Sequence, residues 1–119
     1  MAKTKSLSFV LVFILMLATS KLVSLETGAE KTTLLYFGAT WYDSCSKMKK
    51  LFKDKNVKKE LDKYNFIMYD YDRDREAALK YKIIKLPAMI FRRDGKTIHR
   101  TGGGLSKGEL LKILKEKSS

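Results

Sequence analysis

Four short runs of β-branched and aromatic residues, separated by stretches of helical period, limit what this chain can fold into more than any other feature. Thr32-Thr33-Leu34-Leu35-Tyr36-Phe37 is apolar without alternation, which reads as a strand buried on both faces. From Ser44 to about Tyr64 the period turns helical: Cys45, Met48 and Phe52 fall at i, i+3 and i+7, and Val57 and Leu61 continue the stripe. Asp54-Lys55-Asn56 breaks that stretch into two pieces. Residues 65–70 form a second strand, and Asp72-Arg73-Asp74 supplies a cap for a short helix over residues 75–81. Residues 86–91 form a third strand reached through Pro87, and Asp94-Gly95 turns the chain so that residues 96–100 pair back as a fourth. Gly102-Gly103-Gly104 ends that strand. Ser106-Lys107-Gly108-Glu109 is a capping box for the last helix, with Leu110, Leu111, Ile113 and Leu114 facing inward.

The order β-α-β-α-β-β-α predicts an α/β sandwich. Two βαβ-type crossovers imply parallel strands with helices on both faces, and the hairpin adds an antiparallel edge. A length of 119 residues suits one domain. A single cysteine excludes an internal disulfide and a cysteine-rich zinc site, and a single histidine leaves few metal ligands, so no metal and no cofactor is expected. The formal charge of +12 comes from lysines spread over every predicted helix. Without a concentrated arginine patch or a basic–aromatic stripe, it reads as a solvated surface rather than a nucleic-acid or lipid-headgroup site.

The first two dozen residues stand apart. Lys3 and Lys5 precede an apolar run over residues 7–18 that ends in small residues, which is a secretory signal pattern. The run is short against the roughly 20 residues a spanning helix needs. We expect residues 1–24 to be a signal peptide cleaved after Ser20 or Ser24, leaving a domain over residues 25–119. The protein is then exported, periplasmic or secreted, and meets the membrane only through that segment if it is uncleaved.

The chemistry lies between the first strand and the first helix, in Phe37-Gly38-Ala39-Thr40-Trp41-Tyr42-Asp43-Ser44-Cys45. With Phe52-x-Asp54-x-x-Val57-x-x-x-Leu61, Tyr69-Asp70-Tyr71-Asp72, Leu86-Pro87-Ala88-Met89-Ile90-Phe91 and Asp94-Gly95-Lys96, this stretch resembles the thioredoxin superfamily. It is most similar to the thioredoxin-like domain of periplasmic thiol:disulfide interchange proteins. The resemblance implies a three-layer sandwich with a mixed four-stranded sheet. It also implies a cis-proline at Pro87, a substrate-groove aromatic at Trp41, and a peptide-binding backbone edge at Lys85 and Leu86. Aligned on Trp41, the family's nucleophilic cysteine falls on Tyr42, its resolving cysteine on Cys45, and its buried acid on Tyr36. Exchange needs an attacking thiolate and a second thiol that resolves the mixed disulfide, so the two-cysteine cycle cannot run here.

Three fates remain for Cys45. As a reactive thiol it would gain from the first helical turn and from Lys47, Lys49 and Lys50, against an opposing Asp43. As a core residue it would pack beside Met48 and Phe52. As the odd cysteine of an exported chain it could link a dimer, the alternative being a monomer. Trp41 either lines the groove or caps the core. His99 is expected to be exposed on the hairpin, without a catalytic part. The glycine triplet lacks the Gly-Lys-Ser/Thr ending of a phosphate loop and reads as a turn. Whether the chain is an enzyme is left open by two readings: a protein related to thiol–disulfide exchange (cell redox homeostasis) with an incomplete, single-cysteine site, whose partners are protein or peptide thiols and disulfides, or a redox-inactive module that binds extended or unfolded polypeptide.

Overall fold

A computed structural model describes residues 31–118. The expected signal peptide and the boundary after Ser24 lie outside the described residues.

Strand β1 (Thr33–Gly38) leads through a short loop into α1 (Asp43–Phe52) and α2 (Lys55–Leu61). Strand β2 (Asn65–Asp70), α3 (Arg75–Lys80), β3 (Ala88–Arg93), β4 (Lys96–Gly102) and α4 (Lys107–Lys117) follow. The four strands form one mixed sheet in the order β2-β1-β3-β4. The break between the first two helices has a local cause. The Asp54 carboxylate accepts from the backbone N–H groups of Asn56 and Val57, which caps α2 and ends the run begun by α1. At α4 the Ser106 hydroxyl accepts from Glu109 N and donates to the Glu109 carboxylate, closing the capping box. The hairpin turn places Asp94 and Gly95 at φ of 52° and 74°. Two successive left-handed residues make the type I′ geometry whose twist matches the strands it joins.

Apolar alternation along the central strands divides the core into two layers. Leu34 and Tyr36 of β1 and Met89 and Phe91 of β3 face α1, α2 and α4, where they meet Met48, Val57 and Leu110. Leu35 and Phe37, with Ala88 and Ile90, face the other way and pack on Ala78 of α3 and on Ile83. Helices therefore cover both faces of the sheet. On α4 only Leu110 and Leu114 are fully buried, whereas Leu111 and Ile113 lie partly exposed at the margin.

One expectation about the sheet is corrected. β2 runs parallel to β1, but β3 runs antiparallel to it, with Ala88 opposite Phe37 and Arg92 opposite Thr33. The second connection, residues 71–87, carries a single short helix and does not return the chain to the start of β1. Six helical residues in α3 rise about 9 Å, against roughly 20 Å for a six-residue strand. The helix alone does not carry the chain back, and β3 starts at the end of the sheet where β2 finished. That end also holds the loop after β1 and the end of β4, so the ends of β1, β2 and β4 and the start of β3 meet there.

Candidate functional site

The loop from β1 into α1 is shaped by one close approach. A Cβ on Gly38 would lie 2.6 Å from the Tyr36 hydroxyl oxygen and 2.8 Å from its ring, so only glycine lets that ring fold back along its own strand. Tyr36 is buried, and its hydroxyl donates to the Cys45 carbonyl at 3.4 Å. Burial pushes the Tyr36 hydroxyl well above its ordinary range, and the neighbouring Cys45 pushes it further. It therefore holds its proton throughout the range in which a thiol titrates, around pH 8.5. Such a group can donate a hydrogen bond but cannot shuttle a proton.

Tyr42 is the N-cap of α1, with its backbone extended at φ −102° and ψ 120°. Its carbonyl accepts from Cys45 N at 3.0 Å and from Ser46 N at 3.3 Å, which places Cys45 in the first helical turn. The side chains part company there: Tyr42 is 37% exposed, while Cys45 is 1% exposed and sits with Met48 on the inward face of α1. Of the three fates open to Cys45, core burial is the one the geometry displays.

The loop after β2 orients the outer wall of the site. Asp70 accepts from Asp72 N and Arg73 N, and the Asp74 carboxylate reaches back to Asp70 N at 2.8 Å. Asp74 thus occupies the N-cap position of α3 without capping it by its side chain, contrary to the capping role expected of Asp72-Arg73-Asp74. The freed Asp72 carboxylate accepts from Trp41 Nε1 at 2.6 Å. Trp41 is 65% exposed and meets Tyr42 edge to face at 5.8 Å. It stands at the rim and does not cap the core.

Across from it the segment before β3 supplies the other wall. The Leu86–Pro87 peptide bond is cis, and the Pro87 carbonyl accepts from Gly103 N at 2.8 Å. Arg100 fastens the approach to this segment by donating to the carbonyls of Tyr81 and Lys82. Gly103, at φ +97°, lies against the Lys85 side chain. The glycine triplet is thus a turn packed beside the site. Trp41, Tyr42, Tyr71, Ile84, Lys85 and Leu86 enclose a groove of about 270 Å³. Residues expected from sequence to bind substrate (Trp41, Leu86) therefore share one cleft with Tyr42, while Pro87 is buried behind Leu86 and Cys45 does not line the groove.

Sequence reasoning missed Ile84, Tyr71 and Asp72. Ile84 is 98% exposed, and an isoleucine in a coil segment gives no signal that it will face solvent beside a tryptophan. Tyr71 follows β2 directly, and its N–H donates to Gly38 O at 2.8 Å, which fixes it beside the loop. His99 needs the opposite correction. It is half-buried, with its ring 5.7 Å from Phe91, and burial then Lys117 push its imidazole below the ordinary value. Among the described residues no group of three His, Cys, Asp or Glu side chains could hold a metal ion.

The mixed sheet, the β1–α1 loop with a cysteine in the helical turn that follows it, and the opposing cis-proline segment define an α/β fold of the thioredoxin type. The sequence model of the thioredoxin-like domain matches residues 21–118, and the chain belongs to that family. It is 30% identical over 105 residues to a TPR repeat-containing thioredoxin of Arabidopsis thaliana, covering 86% of this chain but only 27% of that protein. It is 29% identical over 88 residues to a thioredoxin of Mycoplasmoides gallisepticum, covering 74% of this chain and 86% of that one. Among solved structures, Fasciola hepatica thioredoxin superposes with a TM-score of 0.65 at 25% identity, covering 84% of this chain and 94% of the other. A thioredoxin of Malassezia sympodialis gives a TM-score of 0.67 at 25% identity, over 78% of this chain and 80% of its own. Family membership suggests a function in thiol–disulfide redox chemistry.

Proposed function

We propose that this chain is an exported thioredoxin-like protein, related to thiol–disulfide exchange, whose site has changed from a two-cysteine centre into a groove that holds extended polypeptide. Its relationship runs to the thioredoxin-like domain of periplasmic thiol:disulfide interchange proteins, with Tyr42 at the position of the nucleophilic cysteine. The observation that carries this reading is the exposure of Tyr42 at the groove while Cys45 lies 1% exposed on the inward face of α1. A phenol cannot attack a disulfide, and a buried thiol cannot reach one. What remains open to a partner is an apolar surface from Trp41, Tyr42 and Ile84, beside the backbone of Lys85 and Leu86. An extended chain laid there gains affinity from main-chain hydrogen bonds and specificity from the side chains it seats. Burial of Cys45 also speaks for a monomer over a disulfide-linked dimer.

One feature supports monothiol exchange as a second reading: Cys45 occupies the first turn of α1, where backbone N–H groups favour a thiolate. The two are separated by alkylating Cys45 in the folded protein from pH 5 to 9 while titrating an unstructured, disulfide-free peptide and following Trp41 fluorescence. Labelling only after denaturation, with saturable peptide binding, is the expected result. Fast native labelling with an apparent pKa well below about 8.5 would instead establish exchange through the lone thiol. For export, N-terminal sequencing of secreted material is expected to begin at Lys21 or Leu25; an intact Met1 in the cell interior would refute it.

A further inference from the structure

A second cavity shares no side chain with the groove. It has a volume of about 580 Å³ and opens beside β2, which among the described residues pairs on one side only, with β1. Its floor is apolar, built from Phe52, Leu61, Phe66 and Met68, with Met68 47% exposed. Phe52 and Phe66 meet edge to face at 5.1 Å, so this floor is a packed surface. Around it stand Lys31, Lys49, Lys53 and Lys58, opposed by one acidic side chain, Asp62. Lys31 is engaged, donating to the Asp62 carbonyl at 3.0 Å. The ammonium groups of Lys49, Lys53 and Lys58 form no ion pair among the described residues.

We infer that this cleft binds a single-chain amphiphile with a carboxylate head, the alkyl chain lying over Phe66 and Met68 and the head among Lys49, Lys53 and Lys58. Three features point to this occupant. The volume lies within the range of small-molecule sites, which are mostly apolar with a few placed polar groups. The lysines supply charge of one sign at the rim of an apolar floor, so the complement is an anion joined to a hydrophobic body. A second copy of the chain is disfavoured because it would set one lysine ring against another. The inference does not depend on the function proposed for the groove, and Trp41 lies outside the cleft, so the two fail separately.

The test is calorimetric titration of the full-length protein with octanoate, decanoate and dodecanoate, each kept below its micelle concentration. One site per chain is expected, tightening by about fifteenfold for every two methylenes added, as full burial at about 0.8 kcal/mol per CH₂ gives. Decanol should bind several-fold more weakly than decanoate. Lys53→Glu combined with Lys58→Glu should weaken decanoate by about tenfold, whereas Lys96→Glu on the distant hairpin should leave it unchanged. All three are exposed, so the variants should keep the fold, as far-UV circular dichroism would verify. Absence of binding, affinity independent of chain length, or equal weakening by Lys96→Glu would overturn the inference. So would a dimer that Met68→Asp dissociates, since the cleft would then be an interface between copies.

Discussion

At Gly38 a single hydrogen atom decides whether the site can form. Alanine there must displace the Tyr36 ring, whose oxygen, Cε1 and Cζ would all lie within 3 Å of the new carbon. Tyr36 is itself held between Phe52, 4.9 Å away edge to face, and the Cys45 carbonyl. Gly38→Ala is therefore expected to cost about 1–3 kcal/mol, read as a lower denaturation midpoint at unchanged m-value. Tyr42→Cys tests the chemistry of the neighbouring position. Restoring a thiol three residues before Cys45 should create measurable disulfide reductase activity against insulin; a folded variant without activity would mean that Tyr36 or the groove has diverged as well. His99 makes a pH-dependent contribution. Its folded pKa lies below the unfolded value of about 6.5, because burial and Lys117 oppose protonation. The unfolded chain therefore takes up the proton first as pH falls, and stability declines from about pH 6.5 until the folded imidazole also titrates. Replacing His99 by Gln should remove that slope in denaturation curves measured between pH 7.5 and 5.

Among the elements, the helices were legible in outline because capping is local chemistry. Asp54 interrupts α1 and α2, and Ser106 with Glu109 opens α4, each within a few residues of the groups it satisfies. Ser106→Ala should cost about 1 kcal/mol of stability, while leaving peptide binding at the groove intact. The Asp54 carboxylate is held below its usual range, first by Lys107 at 2.9 Å and then by the α2 backbone. Its contribution is present above pH 4 and lost as the pH drops through its folded value; an Asp54→Asn variant should show a shallower acid limb. The side-chain cap expected of Asp72-Arg73-Asp74 failed for a reason of the same kind. Asp70, Asp72 and Asp74 offer several acceptors to a few donors: the Asp74 carboxylate takes Asp70 N, and Asp72 takes the Trp41 indole from another part of the chain. Sequence proximity cannot rank local partners against one that comes from 31 residues away.

Over the whole molecule, two apolar layers separated by one sheet make stability cooperative. Phe91, fully buried and touching Tyr64 and His99, should cost about 3–5 kcal/mol when cut to alanine, enough to threaten a domain of this size. The amino-acid order alone determined the elements, because period, capping residues and the Asp94-Gly95 turn act over a few residues. It also determined that Tyr42 and Cys45 flank the start of α1, and that no second thiol exists to complete an exchange cycle. Only the tertiary structure decided that β3 runs antiparallel to β1, since a connection of this length permits either direction and the packing of the whole sheet selects one. It alone buried Cys45, left Ile84 in solvent beside Trp41, and drew His99 against Phe91. Burial is a property of what the rest of the fold brings to a side chain, and neighbours distant in sequence are chosen by packing rather than by any local rule.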